Sequence, residues 1–154
     1  MAHFAELDSN NMVLRVVVAC NQDIANNGGE QSLQAAKHFE SVAPLSPQGV
    51  KWVQTSYNGS FRKEFAGVGK KYDEEHDLFY VATCSYPSWS LDSNFNWQPP
   101  IARPSINISP INNTDILIVS WDEDQLKWVG FAYDSNLNKV NFEWNPDTLT
   151  WNQV

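Results

Sequence analysis

The sequence predicts a mainly β fold: repeated aromatic-anchored hairpins in a meander, with one short helix at about residues 30–42. Three observations predict it. Large apolar residues recur about seven positions apart across stretches rich in Asp and Asn. The runs between them carry β-branched and aromatic residues, the composition of strands. One segment alone repeats its apolar residues at helical spacing.

The first hairpin runs Phe4-Ala5-Glu6-Leu7, turns through Asp8-Ser9-Asn10-Asn11, and returns along Met12–Val18. Asp and Asn favour the turn, and the β-branched run favours a buried strand. Asn21–Gly29 reads as a polar loop, since Asn26-Asn27-Gly28-Gly29 tolerates positive φ. Glu30–Ser41 is the helix, with Leu33, Ala35, Ala36 and Phe39 at roughly helical spacing and Pro44 and Pro47 ending it. Val50–Tyr57 alternates with period two as a strand and meets a turn at Asn58-Gly59. Phe61–Phe65 continues as a strand that Gly67-Val68-Gly69 breaks, and Tyr72–Val81 forms the next hairpin.

Trp89 and Trp97 bracket a further hairpin unit. Pro99, Pro100, Pro104 and Pro110 then mark an extended connector, because proline cannot donate to a sheet ladder. The expected organisation is an N-terminal β-rich domain at 1–97, a connector at 98–115 and a β-meander at 116–154. The connector is expected to let the meander reach a neighbour.

Six anchor pairs define the repeat: Leu7/Leu14, Tyr72/Phe79, Trp89/Trp97, Trp121/Trp128, Tyr133/Val140 and Trp144/Trp151. An offset of seven places both anchors opposite each other around an even-numbered loop, so they touch on one face. The Trp89/Trp97 offset of eight requires an odd loop with a bulge. The strand from Trp128 to Tyr133 switches face between two such pairs, unless Gly130 supplies a bulge.

The formal charge of −8 and the absence of a basic run argue against nucleic acid. No stretch is apolar for long enough to span a membrane as a helix, and no leader is expected from the first residues. Cys20 and Cys84 read as two buried thiols, with one long-range bridge as the alternative.

Catalytic, cofactor and metal sites are not expected, and the chain does not read as an enzyme. His3, His38 and His76 lie in different elements without ligand spacing. Asp122/Asp124 and Asp73/Glu74/Glu75 each crowd into one turn, where carboxylates cap backbone N–H groups, whereas glycosidases set theirs across a cleft. Asp23, Asn26, Asn27 and Glu30 are oxygen-rich but do not follow the ordered calcium loop.

Several blocks resemble a family of small virion-associated proteins from marine tailed phages, cyanophage-like in type. They are Met1–Asp8, Lys51–Asn58, Phe65–Gly69 with Tyr72-Asp73, Tyr86–Asp92, and Trp121–Asp124 with Trp128. The resemblance covers the first hundred residues and one hairpin near 121. Members of that family end soon after this hairpin, whereas the present chain adds the Tyr133/Val140 and Trp144/Trp151 units.

The resemblance implies a virion component, assembled in the cytoplasm of a bacterial host. Together with the repeat, it suggests a structural protein that attaches to capsid or tail. Partners would be other virion proteins or further copies of the chain in a homo-oligomeric or multi-copy assembly. Trp52, Trp89 and Trp97 are expected in the core. Trp121, Trp128, Trp144 and Trp151 read as core or subunit interface rather than a ligand platform; with Phe131 and Tyr133 they are the interface candidates, since a thin meander cannot bury four Trp alone. The rival reading is a carbohydrate-binding adhesion module at a fibre tip, with exposed coplanar Trp rings stacking on a host surface glycan. A third is a phage protein that modulates a host enzyme.

Overall fold

The computed structural model describes residues 2–29, 32–112 and 116–154, and these are mainly β with two short helices. The chain forms two compact units, Met1–Thr83 and Cys84–Val154. The division thus falls ahead of the Trp89/Trp97 hairpin rather than at the proline-rich stretch.

In the first unit, β1 (Ala2–Leu7) lies between β2 (Val13–Ala19) and β3 (Lys51–Thr55), all antiparallel. Every residue of β1 is buried, because both faces of this sheet are covered. On one face α1 (Asn21–Asn26) and α2 (Leu33–Val42) contribute Ile24, Ala35 and Phe39. Phe39 stacks on Phe4 at 4.2 Å and meets Trp52 edge-on at 5.1 Å. On the other, Ala5, Leu7 and Val13 meet Tyr72 of β4 (Lys70–Asp73) and Phe79 of β5 (Leu78–Val81).

Three local expectations change here. Asn21–Asn26 is helical rather than a loop, with Ile24 as its one buried anchor, too short a segment to show periodicity. The predicted helix is α2, which opens at Leu33 after Ser32, whose hydroxyl accepts from the Ala35 N–H at 2.9 Å. An earlier start at Glu30 lies outside the described residues. Phe61–Phe65 is not a strand, because Arg62 and Lys63 both take positive φ. Cys20 is exposed and Cys84 half-buried, both as free thiols.

The second unit holds the short hairpin β6 (Ser90–Leu91) and β7 (Trp97–Gln98) and a four-stranded antiparallel meander. Its strands are β8 (Ile118–Asp122), β9 (Lys127–Tyr133), β10 (Lys139–Asn145) and β11 (Thr150–Gln153).

Two turn types explain which anchor pairs meet. Four-residue loops follow Asp73, Asp122 and Asn145, and each ends on a residue at positive φ: Asp77, Leu126 or Leu149. They set Tyr72 opposite Phe79, Trp121 opposite Trp128 and Trp144 opposite Trp151, as the seven-residue offset requires. The other type repeats Asp-Ser-Asn at 8–10, 92–94 and 134–136. In each, the Asp carboxylate accepts backbone N–H bonds from residues two and four positions on, at 2.8–2.9 Å. The residue after the motif, Asn11, Phe95 or Leu137, takes φ near +60°.

This loop has three residues, so the partners lie six apart. Leu7 therefore faces Val13, Leu91 faces Trp97 and Tyr133 faces Lys139, and the pairs Leu7/Leu14, Trp89/Trp97 and Tyr133/Val140 are not directly opposed.

Leu137 combines φ +62° with 82% exposure. A branched side chain gains nothing there and strains the left-handed backbone, at roughly 1 kcal/mol. Leu137→Gly is expected to raise unfolding stability by about that amount, read as a higher denaturation midpoint with unchanged m-value.

Candidate functional site

Alternation along the meander gives the second unit two unlike faces. Trp121, Trp128, Trp144 and Trp151 all point to one side and are buried there with Phe142, Ala132 and Leu117. Four of the six interface candidates therefore pack within their own unit. A thin sheet manages this because other parts of the unit cover it. Tyr86, Trp89 and Ile101 pack onto the row, with the Trp89 ring edge-on to Trp121 at 6.4 Å and to Trp128 at 6.2 Å. Trp89 and Trp97 are themselves half-buried rather than fully core.

The proline-rich stretch is a strap over this row rather than a reaching connector. The Trp128 indole N–H donates to the Ile101 carbonyl at 2.9 Å, and that of Trp151 to the Ile106 carbonyl at 2.6 Å. Pro104 and Ser109 are buried, and the Leu117 N–H donates to the Asn107 carbonyl at 2.7 Å. Proline suits this course, since it holds the backbone extended while leaving its carbonyls as acceptors. The connector expected at 98–115 runs on into residues 113–115, which lie outside the described residues.

Gly130 is a regular strand residue, not a bulge: it pairs with Val119 on one side and Phe142 on the other without a register shift. The shorter Asp134 loop places Val140 opposite Ala132, so the face does not switch. A Cβ on Gly130 would lie 3.4 Å from the Trp151 ring, so the glycine seats that ring.

Among the acidic turns, Asp122 and Asp73 cap the backbone N–H groups of Gln125 and His76. Glu123 reaches further. It accepts from the Ser88 N–H and hydroxyl at 2.7 and 2.8 Å and from the Trp121 indole at 2.8 Å. Desolvation raises its pKa, but the Ser88 and Trp121 bonds outweigh it and hold the carboxyl below its ordinary value.

The opposite face of the meander is open within the unit. Ile118, Phe131 and Asn141 form one cross-strand row, and Ser120, Val129, Glu143 and Asn152 another. Phe131 is half-buried and Tyr133 is 52% exposed, the two rings meeting edge-on at 5.9 Å. Lys139 sets its ammonium 4.2 Å from the Phe131 centroid, and Lys127 pairs with Glu143 at 2.5 Å. The arrangement combines an aromatic and aliphatic strip with charged neighbours of both signs. It suits contact burial rather than proton transfer.

Sequence reasoning named Phe131 and Tyr133 but missed Ile118, Val129 and Lys139 beside them. The signal was in the sequence: these residues alternate with the Trp row once the Asp-Ser-Asn loop is read as three residues long.

Of the histidines, His3 is buried against Tyr57 and Phe65, and His76 contacts Asp73 at 2.9 Å. Among the described residues no three His, Cys, Asp or Glu side chains converge as a metal site, and no helix is long and apolar enough to cross a membrane.

No protein-family model matches the chain, and neither a curated protein nor a solved structure matches it significantly.

Proposed function

We propose that this is a structural protein of a phage virion, attached to capsid or tail by burial of the open face of its C-terminal meander. The observation that carries the reading is the strip of Ile118, Phe131 and Tyr133, left uncovered within a unit that buries its four meander Trp residues. Aromatic residues presented on a rigid sheet bury large area at little entropic cost, and charged groups around them set orientation. The resemblance to virion-associated phage proteins supplies the setting.

The same burial weighs against the glycan-platform alternative. Trp121, Trp128, Trp144 and Trp151 have their indole N–H groups or ring faces engaged inside the unit.

Quantitative mass spectrometry of purified particles of the source phage tests the reading, with copies counted against the major capsid protein. Hundreds of copies are expected for capsid attachment and a few to a few dozen for a tail, as orders of magnitude set by virion symmetry. Absence from clean particles refutes the proposal. A Phe131→Ser, Tyr133→Ser double variant is expected to keep its fold and be lost from particles. Full retention would move the interface elsewhere.

A further inference from the structure

The first unit carries a cleft that the virion reading does not use. It has a volume of about 360 Å³ and runs between α2 and the outer edge of β3. That edge faces it because, among the described residues, β3 pairs only with β1 in its sheet.

Leu33, 70% exposed, stands on the helix side, and Trp52 and Tyr72 supply aromatic walls. Gln54, just 2% exposed, also lines the cleft. Its amide Nε2 is buried and has no hydrogen-bond partner. An amide N–H₂ left so is costly, and native chains keep few such groups.

Two of the other polar groups lining the cleft are cationic. Lys37 projects from α2. Arg62 is held in place, donating from Nε to Asp77 and from a terminal nitrogen to the Gln54 carbonyl, both at 2.6 Å. The Tyr72 hydroxyl already donates to Asp77. Glu40, two turns along α2 from the Ser32 cap, is the one carboxylate on the lining among the described residues. A buried amide donor and two cationic groups within aromatic and aliphatic walls match an acceptor that carries negative charge on an apolar body.

We propose that this cleft binds a small carboxylate-bearing ligand with an apolar body, the Gln54 amide donating to the carboxylate and Lys37 and Arg62 supplying the positive field. The ligand lies along the edge of β3, with its apolar part between Leu33 and the Trp52 and Tyr72 rings.

The test titrates the intact chain with 3-phenylpropionate and, in parallel, with its neutral isostere 3-phenylpropionamide, followed by ¹⁵N-resolved NMR of the glutamine side-chain amides. The expected result is saturable shifts of the Gln54 amide with the acid and binding of the amide weaker by about tenfold or more. Gln54→Leu is expected to weaken binding of the acid by a similar factor. It is also expected to raise the melting temperature of the free protein, because it removes the unpaired donor. Equal binding of the two probes, or binding of neither, overturns the proposal. So does a Gln54→Leu variant that melts lower than the parent, since its amide would then be satisfied within the chain. None of these outcomes bears on attachment to particles.

Discussion

Glu6→Ala is expected to destabilise the first unit by about 3 kcal/mol, the largest effect of any single charged residue in it. Glu6 is the penultimate residue of β1, with its side chain fully buried. It accepts from Arg15, its direct cross-strand partner, and from the Ser46 backbone N–H. Arg15 also donates to the Pro44 carbonyl at 3.0 Å, so the carboxylate gathers the segment after α2 onto the sheet. Removing it strands the Ser46 amide. The Arg15 share is discounted, since that side chain is about half exposed and solvent screens it.

Gly49 belongs to the same lock, because a Cβ there would overlap the Glu6 carboxylate. Gly49→Ala is therefore expected to cost much less in the Glu6→Ala background than alone, a non-additivity that a double-mutant cycle measures. Additive costs would show that the two residues act separately.

The lock also sets a pH dependence. Burial raises the Glu6 pKa, but the bonds from Arg15 and Ser46 outweigh it, and the folded value lies below the ordinary 4.5. A depressed carboxylate contributes stability in full above its unfolded pKa and loses it as pH falls through the folded one. Denaturation midpoints of the wild type are expected to drop below about pH 4.5, and Glu6→Gln is expected to flatten that drop.

The second large effect is in the other unit. Trp128→Ala is expected to cost about 3–5 kcal/mol, in the range for emptying a buried aromatic site. The ring packs edge-on to Trp121 at 5.3 Å and lies beneath the Arg103 guanidinium at 5.8 Å. Its indole holds the strap through Ile101. Trp128→Phe keeps most of the packing and removes that bond, so about 1 kcal/mol is expected for the bond itself. Both variants are expected to speed protease cleavage within residues 98–112, read by mass spectrometry of the fragments. Unchanged cleavage would show that the strap is held without this indole.

How much of this was legible in the sequence depended on how local the cause was. The Tyr72/Phe79, Trp121/Trp128 and Trp144/Trp151 contacts could be read directly, because a four-residue loop fixes them within eight residues of chain. The Leu7, Trp89 and Tyr133 pairs failed for a reason also written in the sequence: Asp-Ser-Asn marks a different loop with a six-residue offset. The face assignment of the meander followed from that one distinction.

Three features had no local signal. Ile24 anchors a helix shorter than two turns, which leaves no period to detect. The strap's role depends on carbonyls of Ile101 and Ile106 meeting indoles 27 and 45 residues away, and proline content indicates an extended course but not what lies beneath it. The open face was half legible, since Phe131 and Tyr133 stood out as aromatics while Ile118, Val129 and Lys139 did not. The cleft in the first unit was not legible at all, because a strand of alternating residues gives no sign that one of its amides will be left without a partner.

The turns of the meander have a consequence for how such a chain grows. In each, the Asp or Asn satisfies N–H groups of its own loop, and in one of them Glu123 also reaches Ser88. A hairpin can therefore be duplicated onto the β11 edge without disturbing the strands already present. Length is limited instead by the roof. The strap offers its carbonyls to two indoles, and a fifth Trp placed beyond Trp151 would lie past its reach. Lineages that lengthen the sheet would have to lengthen the segment between Gln98 and Ile116 as well, or replace the new Trp with a residue that tolerates water.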